Sequence, residues 1–106
     1  MSATQRLDKW LWFARFVKTR SLAAKLCSMG AVMVGGQPAL KPNHSLRIGD
    51  ALAITQGRYV RRVTVLGLGE RRGPAPEARL LYAEPKPPVL LAKEDWQPLL
   101  EEESPG

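Results

Sequence analysis

The stretch RLDKWLWFARFVKTRSLAAKLCSMG, residues 6–30, decides the fold. Leu7, Trp10, Leu11, Ala14 and Val17 recur at the spacing of one face of a 3.6-residue helix. That period predicts a helix from about Arg6 to Phe16, with the stripe turned to a core. Lys18-Thr19-Arg20-Ser21 breaks the stripe. Ser21 is suited to cap a second helix, Leu22 to Met29, which Gly30 would stop. Trp12 and Phe16 fall off the stripe at i, i+4. They are expected to pack against a later strand or the C-terminal helix rather than stand out as a base-stacking platform. Trp10 belongs to the core.

Beyond Gly30 the period changes. Ala31-Val32-Met33-Val34 is β-rich, Gly35-Gly36 is a hairpin turn signal, and Gln37 to Leu40 can return as an edge strand carrying Pro38. Lys41-Pro42-Asn43-His44 reads as a loop. Ala51 to Thr55 reads as a strand after the Gly49-Asp50 turn, and Gln56-Gly57-Arg58 turns the chain again. Val60, Val63, Val65 and Leu66 mark a further strand whose alternation is imperfect, which leaves its register open. Pro76 and Glu77 favour a short helix through Leu81 and Tyr82. The expected class is therefore α+β: two N-terminal helices on a small, mostly antiparallel sheet of four to five short strands, then a short C-terminal helix and a tail. The expected organisation is one domain over 6–84 and a Pro-rich, acidic, flexible tail over 85–106.

The charge is unevenly placed. The chain carries 16 Lys and Arg against 10 Asp and Glu, a net charge of +6. Residues 1–72 hold thirteen of the bases and only Asp8, Asp50 and Glu70, a local +10, while residues 73–106 hold three bases and seven acids, a local −4. A small domain so charged repels itself unless it meets a polyanion. The donors gather around the first helix pair: Arg6, Lys9, Arg15, Lys18, Thr19, Arg20 and Lys25, with a helix N-terminus at Ser21 as an anion site. Taken singly, each of these bases is also an ordinary solvated surface charge. Neutralising about six to ten phosphates would make affinity fall by three to five decades between low and physiological salt.

Enzymatic and metal-binding readings lack material, since the chain has one His and one Cys. No catalytic residue, metal site or cofactor is expected. Cys27 reads as a small apolar residue on a buried helix face, and His44 as a loop-stabilising or RNA-contacting group. Asp8, Asp50 and Glu70 read as ion-pairing or capping groups. No apolar run reaches the roughly 18 residues of a membrane span, and no secretory signal is recognisable, which points to the cytoplasm.

Arg6-Leu7-Asp8-Lys9-Trp10-Leu11-Trp12, Ala14-Arg15-Phe16, Lys18-Thr19-Arg20-Ser21 and Ala23, followed by Gly30, Val32, Gly36-Gln37, Lys41-Pro42 and Gly49-Asp50, resemble the RNA-binding domain named after the small-subunit ribosomal protein S-four. The Lys-Trp-Leu-Trp run, Arg71 to Ala78 and Leu80-Leu81-Tyr82 are similar to the bacterial heat-shock protein 15 family. The resemblance covers about Arg6 to Glu84. It implies an αL RNA-binding motif that docks on structured RNA: rRNA, and tRNA on the large ribosomal subunit. It also implies a role in handling stalled subunits that carry a nascent chain on tRNA after heat stress. The residues it carries over are Arg6, Lys9, Arg15, Lys18, Thr19, Arg20, Lys25 and Lys41. Family members often end in a basic extension, where this chain is Pro-rich and acidic.

The partner expected is thus RNA, with DNA as the other polyanion such a surface suits, and with no small-molecule substrate and no membrane. A monomer is expected, with the strand edge near Pro38 or the Trp96 region as places where copies could join. The competing reading is a basic aromatic membrane-surface or protein-interaction module built on Lys9 to Lys18.

Overall fold

The computed structural model describes residues 3–90. Its elements are β1 (Gln5–Arg6), α1 (Leu7–Phe13), α2 (Arg20–Ser28), β2 (Val32–Val34), β3 (Gln37–Pro38), β4 (Ser45–Leu46), β5 (Ala51–Gln56), β6 (Tyr59–Val65), α3 (Ala75–Ala78), a 3-10 turn (Arg79–Leu81), β7 (Tyr82–Ala83) and β8 (Val89–Leu90). The expected α+β class is what forms.

The first helix ends earlier than the stripe predicts, at Phe13 rather than Phe16. Arg15 adopts φ +63°, the left-handed conformation that usually falls to glycine. The Phe16 N–H then donates to the Leu11 carbonyl and the Arg15 N–H to that of Trp12. These are the paired 6→1 and 5→2 bonds of a Schellman stop, with arginine in the glycine position. Val17 remains buried although it has left the helix. The second helix starts earlier than expected: Thr19, not Ser21, is the N-cap, its hydroxyl accepting from the Leu22 N–H at 3.1 Å. It closes as expected on Gly30, at φ +76°, with the same bond pair to Cys27 and Leu26.

The main sheet runs β3-β2-β5-β6-β7, with β8 also on β6, and every pairing is antiparallel. The Gly35-Gly36 turn joins β2 to β3, both glycines at positive φ. Among the described residues this sheet has six strands where four to five were expected, because Tyr82–Ala83 and Val89–Leu90 each add two residues to the outer edge of β6. Tyr82 therefore belongs to a strand and not to the C-terminal helix. Val89–Leu90 is paired although it lies within the expected tail; the remainder of that tail, from residue 91, lies outside the described residues.

Directly paired residues share a face of a sheet, so Val32, Leu52, Ile54, Val63 and Val65 line one side. All are buried against Leu7, Trp10, Leu11, Ala23 and Cys27 from the helices. Full burial of Leu7, Leu11 and Ile54 contributes roughly 2–3 kcal/mol each. The alternation of β6 is broken at Arg61, which occupies the inward position that an apolar residue would take. Its guanidinium lies 4.6 Å over the Phe16 ring and pairs with Glu84 at 2.8 Å. Phe16 stacks on Trp10 at 5.8 Å between ring centres, so this aromatic packs rather than stacking on a base.

Candidate nucleic-acid interface

The first turn of α1 is held by a loop distant in sequence. The Leu7 N–H donates to the His44 carbonyl at 2.8 Å and the Asp8 N–H to the Pro42 carbonyl at 3.0 Å. Two of the N–H groups that a helix start leaves unpaired are satisfied in this way. Gln5↔Leu46 and Arg6↔Ser45 pairing fixes the same junction from the other side. The Lys41 loop is therefore brought beside Arg6 and Asp8.

Asp8 organises this end. It is 5% exposed. Its carboxylate accepts from Arg6 Nε at 3.1 Å and Arg6 Nη2 at 3.0 Å, and from Arg20 Nη2 at 3.4 Å. Burial works to raise its pKa, but the Arg6 hydrogen bonds, the Arg20 charge and the Lys9 backbone N–H outweigh burial and hold it below the usual carboxylate range. Hydrogen bonding to Asp8, followed by its charge, raises the Arg6 pKa in turn. The two arginine side chains are about half exposed, at 53% and 44%. Each guanidinium has five N–H donors in a planar fork that suits phosphate, and the bonds to Asp8 use only some of them.

The other predicted donors fall into two further groups. Lys18 and Lys25 are exposed and line one groove along α2. Thr19 uses its hydroxyl oxygen as the helix cap between them, so its part is to shape the turn. Lys9 and Arg15 lie away from that groove: the Lys9 ammonium lies 5.4 Å over the Phe13 ring, and Arg15 Nε donates to the Gly73 carbonyl of the 69–73 loop at 2.6 Å. The eight residues thus surround the helix pair rather than forming one cluster.

One residue that sequence reasoning passed over holds the turn together. Arg72 donates from Nε to the Trp12 carbonyl and from Nη2 to the Val17 carbonyl, both at 3.2 Å. Its guanidinium lies 5.6 Å over the Trp12 ring. Trp12 is therefore covered on one side by this arginine, while it packs partly buried against the core. Arg71-Arg72 reads as a chain break in sequence, and nothing local shows that Arg72 reaches back across 60 residues to Trp12.

Cys27 is fully buried, and burial, followed by the Asp8 charge, pushes its thiol up to about 11. Asp50 accepts from the Arg47 N–H at 2.9 Å and caps its turn, as expected. Among the described residues, no group of His, Cys, Asp and Glu could hold a metal ion, and no helix is long and apolar enough to cross a membrane. The apolar side chains of Leu11, Phe13, Phe16 and Val17 are buried in the protein, which removes the lipid-facing side that the membrane-surface reading of Lys9 to Lys18 requires.

The family profile described as the S4 domain matches residues 5–52. Over 79 residues the chain is 47% identical to "Heat shock protein 15" of Escherichia coli (strain K12), spanning 74% of this chain and 59% of that protein. The chain thus matches less than two thirds of that relative's length. It is 31% identical to the "RQC P-site tRNA stabilizing factor" of Helicobacter pylori (strain J99), over 76% of this chain and 95% of that one. The solved structure of Vibrio cholerae Heat Shock Protein 15, a trimer, superposes with a TM-score of 0.73 at 35% identity, covering 96% of this chain and 95% of that chain.

Proposed function

Starting from the fact that this chain belongs to the heat shock protein 15 family and carries an S4 domain, we propose that it is a non-catalytic RNA-binding protein of the large ribosomal subunit. In this reading it docks on rRNA and helps to hold the tRNA of a stalled nascent chain, acting in the cytoplasm. Its RNA-binding domain spans 6–84.

The observation that carries the reading is the pair of half-exposed arginines fixed by a buried carboxylate, with the Lys41 loop bonded to the same helix start. Arg6, Arg20 and Lys41 form one phosphate-binding group, Lys18 and Lys25 a second, and Lys9 and Arg15 a third. Thr19 contributes through the cap that sets the turn. Three separated groups on a rigid helix pair suit the irregular backbone of folded RNA, which is read through its shape and phosphates.

The test is co-sedimentation with purified large subunits of the natural chain and of the triple variant Lys18→Glu, Lys25→Glu, Lys41→Glu. These side chains are exposed, so the variant should melt within a few degrees of the natural chain while remaining in the supernatant. Each lost phosphate contact also lowers the salt slope of binding by about one. Unchanged pelleting of the triple variant would refute the assignment.

A further inference from the structure

The groove along α2 has an apolar floor with basic margins. Val17, Leu22, Leu26 and Met29 supply the floor, and Lys18 and Lys25 stand at the sides of an open cavity of about 540 Å³. Leu22 is 44% exposed and Met29 66%, large values for apolar groups on one helix face. Gln56 closes one end, its side chain donating to the Phe16 carbonyl.

Strand pairing leads the chain to that end. Leu90 pairs with Tyr59, and Tyr59 pairs with Gln56, so the last described residue lies two strands from the groove, about 10 Å. The chain there runs towards the β5–β6 turn. Five further residues span at most about 18 Å, more than the distance from Leu90 to the groove. The sequence from there is Asp95-Trp96-Gln97-Pro98-Leu99-Leu100-Glu101-Glu102-Glu103, three large apolar side chains followed by three carboxylates. Residues 91–106 carry five acids and one base, against the local +10 of residues 1–72. Apolar groups match the floor, and carboxylates match Lys18 and Lys25.

We propose that the groove between α2 and the β5–β6 turn is the binding site of the chain's own segment 95–103, which competes there with RNA phosphates for Lys18 and Lys25. The competition rests on the RNA-binding reading; the occupancy of the groove does not. By tethering, the segment reaches a local concentration on the order of millimolar, so a weak contact suffices to fill the site. If nine molecules in ten have the segment bound, its removal strengthens RNA binding about tenfold.

Occupancy is read by zero-length carbodiimide cross-linking of the full chain, mixed with ¹⁵N-labelled copies and analysed by peptide mass spectrometry. The expected product joins Glu101, Glu102 or Glu103 to Lys18 or Lys25 within one chain, and Leu22→Glu in the groove floor abolishes it. Joins spread evenly over Lys9, Lys41 and Lys86 would overturn the proposal, as would mixed-isotope pairs, which place a second copy in the groove. Competition is read by titrating a ribosomal RNA fragment into the full chain and into E101Q/E102Q/E103Q, where the variant should bind about tenfold more tightly at low salt. Equal affinity would overturn the competition. If neither form binds RNA, the RNA-binding reading fails, and the cross-links alone decide what fills the groove.

Discussion

Trp10 is the side chain on which the helix pair most depends. It is fully buried, donates from Nε1 to the Gly67 carbonyl at 2.9 Å, stacks on Phe16 and meets the Tyr82 ring edge-on at 6.4 Å. Trp10→Ala deletes the indole from a site whose neighbours come from α1, the Arg15 turn and the β6–β7 edge, so collapse into the space would require all three to move. The expected cost is about 3–5 kcal/mol for the lost contacts and cavity. The Gly67 carbonyl, left without its donor, adds about 1 kcal/mol or more. For a domain of this size 1 kcal/mol corresponds to about 4–8 °C in Tm, so a total of about 4–6 kcal/mol places the Trp10→Ala melt about 16–48 °C below that of the natural chain. Trp10→Phe keeps a stacking ring and loses the N–H, so it should fall between the two. Urea titrations followed by circular dichroism measure both variants. Because Trp10 has no exposed surface, RNA affinity of the Phe variant measured well below its melt should match the natural chain. A Trp10→Ala variant within 1 kcal/mol of the natural chain would refute the packing described.

Two titratable groups give further tests. Asp8 has a folded-state pKa below its ordinary 3.8, so its contribution is fully present at pH above the unfolded value and is lost as pH falls through the lower folded value. Asp8→Asn should therefore be less stable than the natural chain at pH 7 in urea titrations, and the gap should narrow as pH falls below 3.8; a gap independent of pH would contradict the Asp8–Arg6–Arg20 arrangement. Cys27, with its thiol pushed up to about 11, should not react with an aromatic disulfide reagent in the native protein at pH 8. It should react at once in 6 M guanidinium chloride, and rapid native labelling would show that the α2 face is open.

Much of the fold was legible because it rests on local periodicity. Leu7, Trp10 and Leu11 announce the buried face of α1, Gly35-Gly36 announces the β2–β3 hairpin, and Cys27 sits among apolar neighbours on α2. The sequence misleads where a distant residue decides a local outcome. Nothing near Arg15 requires it to stop the helix, since a left-handed arginine is unfavourable alone; Arg72 bonds to the carbonyls on either side of that turn. Thr19 and Ser21 are both good caps, and the choice between them depends on where the turn at Arg15 releases the chain. Arg61 breaks the alternation of β6 because Glu84, 23 residues later, supplies its counter-charge. Strands of two residues such as β7 and β8 carry no pattern of their own and exist because β6 offers an edge. For the candidate interface, composition pointed to the charged residues, while their division into three groups depends on the Asp8 pairings, the α2 groove and the 69–73 loop.

The proposed role places this basic helix pair on the large ribosomal subunit in its stalled state. Photo-crosslinking from Lys25 replaced by a photoreactive residue tests that role head-on, using purified large subunits with peptidyl-tRNA, large subunits without it, and whole ribosomes. Cross-links to large-subunit rRNA are expected, strongest on the particles that carry peptidyl-tRNA. Equal background labelling of all three particles would contradict the role.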